Sequence, residues 1–366
     1  MESQEIKNVL QRLIGFESTA GHDELYQCAD FIEEYFSDTD LIIKRYNHNN
    51  VPSVMVLSKD TLHTDVMLQG HFDVVVGGNT DYQMIEKEDQ LSGPGALDMK
   101  GSVAVIMVVL KNLAQQYPDK VIGAMFNGDE ESGGFNSAQY LVEEVGYSTD
   151  LLINFDGGYS ETISHAEKGI IRLEMIAHES NTTSVHMPWK GGNAIDTLID
   201  AYQKFRELFA SKHNATAEDN WHTTYNAWGL SANILQSRTA HEARLKLSIH
   251  FVEDKLVDDY LAEIQAAIPE VEFQKLIGAE RVYVDKDNPT LLQWKDCMEE
   301  VYQKTIPVIG ENGSSDARFF THMNIPIIVT RPAGDDPEGL NEYVSLDSLH
   351  KLALTTECFL ERICKN

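Results

Sequence analysis

Five short apolar runs set the frame of this 366-residue chain: Val54–Leu57, Val66–Gln69, Val121–Phe126, Leu151–Phe155 and Ile325–Thr330. Each has the length of a strand and stops at polar residues. Between the second and third lies a longer apolar pattern, Val103 to Leu113, that predicts a buried helix. The segment Ile6 to Phe36 has helical spacing broken near Ser18–Gly21, and Leu25, Ala29, Ile32 and Phe36 share one helix face. Strands alternating with helices predict an α/β layer fold with a mostly parallel sheet flanked by helices.

After Ala166 the pattern changes. Ile170–Ala177 and Arg244–Phe251 alternate like half-buried strands, and Ala194–Phe209 has helical spacing. The expected organisation is a first domain over 1–166, an inserted α+β domain over 167–278, and a return to the first domain over 279–366. A chain of this length exceeds one ordinary core, in keeping with two domains.

The 58 acidic residues against 29 basic give a formal net charge of −29. Such a charge repels phosphate backbones and anionic membranes, so neither nucleic acid nor a membrane is an expected partner. The first residues lack a basic start followed by an apolar run, and no apolar stretch is long enough to span a bilayer. Cys28, Cys297, Cys358 and Cys364 show no CxxC spacing and read as unpaired thiols. A cytoplasmic location is the expectation.

Several strand-like runs end in metal-capable side chains. Val66–Gln69 leads to His71 and Asp73, Val121–Phe126 to Asp129, Glu130 and Glu131, Leu151–Phe155 to Asp156, and Ile325–Thr330 to the segment Arg331–Glu338. In a parallel sheet the carboxyl ends of strands line one edge, where ligands bind, so these residues converge. Between the first two runs, the Gly-rich turn Gly93–Gly101 places Asp98 just ahead of the long apolar helix. Each motif alone is weak: an HxD pair is commonly a surface ion pair, and Asp-Gly is commonly a turn. The order and context together carry the signal.

With those residues in view, the chain resembles the zinc exopeptidase and deacylase family of acetylornithine deacetylase, succinyl-diaminopimelate desuccinylase, aminoacylase and carboxypeptidase G. The matching segments are Gly70-His-Phe-Asp-Val-Val75, Gly93-Pro-Gly-Ala-Leu-Asp-Met-Lys-Gly101, Gly128-Asp-Glu-Glu-Ser-Gly-Gly134, Gly313-Ser-Ser-Asp-Ala-Arg-Phe319 and Asn341-Glu-Tyr-Val344. The resemblance implies two divalent metal ions, zinc first, with manganese or cobalt as alternatives. It implies that His71 and Asp156 ligate one metal, that Glu131 ligates the other, and that Asp98 bridges both. It further implies that Asp73 orients the His71 imidazole, that the peptide after Asp98 is cis, and that Glu130 is the general base and acid of amide hydrolysis. The implied substrate is a small molecule or peptide bearing a carboxylate: a dipeptide, a peptide C-terminus or an N-acyl amino acid. A lid or dimerisation role for the inserted domain, and a homodimer through it, are implied in the same way.

Four positions depart from the family pattern or match it weakly. The last metal-ligand histidine of the family falls at Glu338, a carboxylate that can replace it as ligand. The alternative is a catalytically weak or inactive binding or regulatory homologue. His186 stands near the family's substrate-reaching histidine, shifted in its loop, with an exposed loop histidine as the bland reading. Asn233 fits the substrate-facing asparagine and could equally cap a turn. Arg318 falls in the stretch that recognises a substrate carboxylate, where a guanidinium fork suits a bidentate partner; an ion pair with Asp316 is the competing reading.

Overall fold

A computed structural model of the chain describes residues 3–76, 81–180, 192–210, 221–233 and 238–365. His186 lies outside the described residues. The chain divides into two compact units, residues 1–166 with 283–366, and residues 167–282.

The first unit is built on a sheet that has nine strands among the described residues. Its centre is four parallel strands in the order Ile122–Asn127, Val66–His71, Leu152–Asn154 and Ile327–Thr330. Antiparallel strands Val51–Leu57 and Ile42–His48 extend one side, and Ile163–Glu167 pairs antiparallel with Ile327–Thr330 on the other. The central strands are buried throughout. Their uninterrupted apolar runs are what a strand covered on both faces requires.

The helix Gly101–Leu113 explains its own sequence. Val103 to Leu110 are all buried, because it packs on Val66–His71 and Ile122–Asn127 while Ser3–Ile14 and Leu346–Lys365 pack on it. The helical region at the N-terminus is two helices, Ser3–Ile14 and Asp23–Phe36, separated where the spacing breaks. No helix among the described residues is long and apolar enough to cross a membrane. The four cysteines are free.

The second unit is a four-stranded antiparallel sheet, in the order Thr224–Asn233, Glu242–Phe251, Gly169–His178 and Glu272–Ala279. Buried and half-buried residues alternate along Glu242–Phe251, as a sheet with one covered face demands. The helix Ala194–Ala210 supplies the cover, with Phe205 and Phe209 packed among Leu173, Leu247 and Phe251. The strand Glu272–Ala279 is bonded to Gly169–His178 within this sheet, which carries the second unit past residue 278 to Val282.

Candidate metal centre

The parallel strands of the first unit release their chains along one edge. His71 closes Val66–His71 and stands in register with Asn127, the last residue of the neighbouring strand. Val329 is in register with Asn154, so Asp156 and Arg331 leave adjacent strands two residues later.

The His71 side chain is 1% exposed. Its Nδ1 lies 3.1 Å from the carbonyl oxygen of Asp73, which can only accept, so Nδ1 donates. The Asp73 carboxylate, the partner expected from the resemblance, is farther off, with Oδ1 at 3.4 Å. Nε2 faces Asp98 Oδ1 at 3.2 Å and Asp156 Oδ2 at 3.8 Å. Burial opposes charging the ring, but the surrounding carboxylates outweigh it and raise His71 well above the usual histidine value.

Asp73 does more than face the ring. Its Oδ1 accepts from the backbone N–H of Glu130 and its Oδ2 from that of Glu131, each at 3.1 Å. One carboxylate thereby fixes the short turn Glu130–Ser132 beside the histidine. Neighbouring positions on this turn diverge. Glu130 Oε1 points toward Arg318 Nη1 at 3.7 Å, while Glu131 Oε1 is buried with no hydrogen-bond partner among the described residues. Burial, then the charges of Asp98, Asp73 and Glu338, push Glu131 up to about 9 against the opposing pull of His71. Burial and Asp316 raise Glu130 well above the usual carboxylate range, and burial and Asp98 do the same to Asp156.

Asp98 sits on the Gly93–Gly101 turn, and the Asp98–Met99 peptide is cis. Burial would raise its carboxyl, but His71 and Arg331 outweigh that and hold it below the usual range. The turn is organised by Glu342, which sequence reasoning missed as a site residue. The Glu342 side chain is buried and accepts from the backbone N–H groups of Gly95, Leu97 and Asp98, each at 2.8 Å.

The structure thus brings His71, Asp98, Glu130, Glu131 and Asp156 together. Donor atoms of His71, Glu130 and Asp156 lie within 4.8 Å of one another, as do those of His71, Asp98 and Glu131. One imidazole and four carboxylates crowd a buried space, where burial first and neighbouring carboxylates second raise Glu130, Glu131 and Asp156. A donor set of imidazole nitrogen and carboxylate oxygens, one of them unpartnered, fits divalent cations.

Glu338 is outside both groups. It is exposed, on a turn with φ of 60°, but lines the same pocket as Asp98, Glu131 and Glu342. Arg318 is held by its own backbone surroundings: Nη1 donates to the carbonyls of Ser314 and Ser315 at 3.2 and 3.0 Å, and Nη2 to that of Gly133 at 2.8 Å. The ion pair with Asp316 is looser, at 3.7 Å. Asn233 belongs to the second unit, where its Nδ2 donates to Glu242 Oε1 at 3.2 Å.

Comparison with known proteins bears on this arrangement. Residues 67–362 match the family described as Peptidase family M20/M25/M40. The chain is 29% identical over 215 residues to a probable succinyl-diaminopimelate desuccinylase of Staphylococcus aureus, covering 55% of this chain and 51% of that protein. It therefore spans about half the length of that relative. It is 22% identical over 354 residues to succinyl-diaminopimelate desuccinylase of Blochmanniella pennsylvanica, covering 90% of each. Its fold is similar to that of aminopeptidase PepT from Bacillus cereus, with a TM-score of 0.79, 16% identity and 99% of each chain covered. The α/β architecture with its largely parallel sheet and separate second sheet is similar to that of the PepT structure, and the chain belongs to the Peptidase family M20/M25/M40.

Proposed function

We propose that this chain is a metallohydrolase that cleaves an amide bond in a small, carboxylate-bearing substrate: a dipeptide, a peptide C-terminus or an N-acyl amino acid. The observation that carries the proposal is the convergence of one histidine and four carboxylates at the parallel strand ends. Membership of a peptidase family, and relatives named as desuccinylases and an aminopeptidase, support the same reaction type.

In this reading two divalent cations, zinc first, are held by His71, Asp98, Glu131 and Asp156, with Glu338 completing the set. Bound cations supply Lewis acidity to the amide carbonyl and to the attacking water. The chain's own groups do the rest. The carbonyl of Asp73 takes the Nδ1 proton of His71 in a hydrogen bond, which leaves Nε2 as the donor atom facing Asp98 and Asp156. The Asp73 carboxylate clamps the turn so that Glu131 and Glu130 present separate carboxylates. Glu130 removes a proton from water as the oxygen attacks the amide carbon, and returns it to the departing nitrogen. Glu130 must be ionised to take that proton; burial and Asp316 favour its protonated form in the cation-free chain, and bound cations would oppose that effect. A homodimer formed through the second unit, residues 167–282, belongs to the same proposal.

Replacing Glu130 by Ala tests the assignment. Turnover of acyl-amino acids and dipeptides should fall by about 10²–10⁴-fold or more, while metal content by elemental analysis stays at the wild-type value. Retained turnover at unchanged metal content would remove Glu130 from this role. The absence of turnover in the wild-type chain with zinc, manganese and cobalt would favour the binding or regulatory alternative.

A further inference from the structure

We infer that Arg331, rather than Arg318, recognises the carboxylate of the substrate, a refinement that rests on the proposed amide hydrolysis. The site is lined with acids, so a carboxylate entering it needs a cationic partner from the chain. Arg318 is already engaged. Three backbone carbonyls take its Nη1 and Nη2 hydrogens, its side chain is 7% exposed, and it ties residues 314 and 315 to Gly133. Offering that fork to a substrate would strand the carbonyls it now serves.

Arg331 has the opposite character. It follows directly on Ile327–Thr330, a central parallel strand, and the Val329–Asn154 register sets it level with Asp156 at the strand ends. The residue is half-buried, and its Nε is buried with no hydrogen-bond partner among the described residues. Its charge also reaches Asp98 and Glu311, whose carboxyls it pulls downward against the effect of burial. A carboxylate approaching the guanidinium side-on would engage Nε and one Nη together, satisfying the stranded donor in the bidentate geometry that arginine favours. Its position level with Asp156 on the adjacent strand puts it on the same sheet edge as Glu130, as recognition of a dipeptide or an N-acyl amino acid requires.

The test compares an N-acetyl amino acid with its carboxamide, using wild-type and Arg331→Gln enzyme loaded with the same divalent cation at equal measured metal content. The ratio of kcat/KM for the acid over the carboxamide should fall by at least about tenfold in Arg331→Gln, mostly through KM. Arg331→Lys, which keeps the charge and loses the fork, should fall between the two, and it carries the test if the glutamine variant does not fold. An unchanged ratio in both variants overturns the assignment and leaves the proposed hydrolysis standing. Calorimetric binding of the N-acetyl amino acid separates the two ideas further. A wild type that binds it without cleaving it, next to variants that bind it at least about tenfold more weakly, would sustain Arg331 and sink the hydrolysis.

Discussion

The carboxylate of Glu342 is buried because three backbone N–H groups of the Asp98 turn replace the water it gives up. Burial, partly offset by those three hydrogen bonds, pushes its pKa up to about 7. Glu342→Ala would leave three amides of one turn without their acceptor. The expected loss is about 3 kcal/mol of stability by urea denaturation, together with weakened metal retention on dialysis, because the turn carries Asp98. Stability and metal retention equal to wild type would show that the turn holds its shape unaided. This role was illegible in the sequence. Of the candidate site residues, His71, Glu130, Glu131 and Asp156 stand out by type and position after strands, and Asp98 by its Gly-rich turn. A carboxylate that serves backbone amides 244 to 247 residues away has no local mark, nor has the second task of Asp73.

At the scale of elements, the apolar runs foretold the strands closely because a strand buried on both faces leaves little room for polar residues. Val66–Gln69 became Val66–His71, and Val103–Leu113 became Gly101–Leu113. Turns were less legible, since their shape depends on contacts from elsewhere. The turn after Ile122–Asn127 is the clearest case. Gly134 has φ of 65°, and a Cβ there would lie 1.9 Å from Asp316 Oδ1. Its neighbour Gly133 accepts from Arg318, and Glu130 and Glu131 hang from Asp73. Gly134→Ala should therefore cost roughly 1–3 kcal/mol through left-handed strain and overpacking. It should also lower kcat by displacing Glu130, read by parallel denaturation and activity measurements. A variant with wild-type stability and kcat would mean that Asp316 moves aside freely.

For the whole molecule, the acid-rich site makes folding and cation binding interdependent. In metal-free protein the raised carboxyls favour the protonated folded state: Glu131 to about 9, Asp316 and Glu342 to about 7. Their folded values exceed the unfolded values near 4, so the stability they lend is complete below about pH 4. It is lost as pH rises through about 7 and then about 9. Thermal unfolding of chelator-treated protein should show Tm falling by several degrees between about pH 5 and 9, and added zinc should flatten or reverse that slope. A Tm independent of both pH and chelator would argue against a cation site. The texture of the sequence changes after Ala166, where the first unit gives way to the second, whereas the return near Tyr283 has no such mark because Glu272–Ala279 pairs with a strand about a hundred residues earlier.

The clasp between Glu342 and Gly95 also has a meaning for biosynthesis. The two residues are 247 positions apart. A ribosome delivering this chain from its N-terminus releases the Asp98 turn, the histidine and the paired glutamates long before the acceptor that shapes the turn. The nascent chain at that stage carries His71, Asp98, Glu130, Glu131 and Asp156, but neither Glu338 nor the acceptor that shapes the turn. In the proposed reading, loading with cation would then follow synthesis, after the Glu342 clasp on the Asp98 turn has closed.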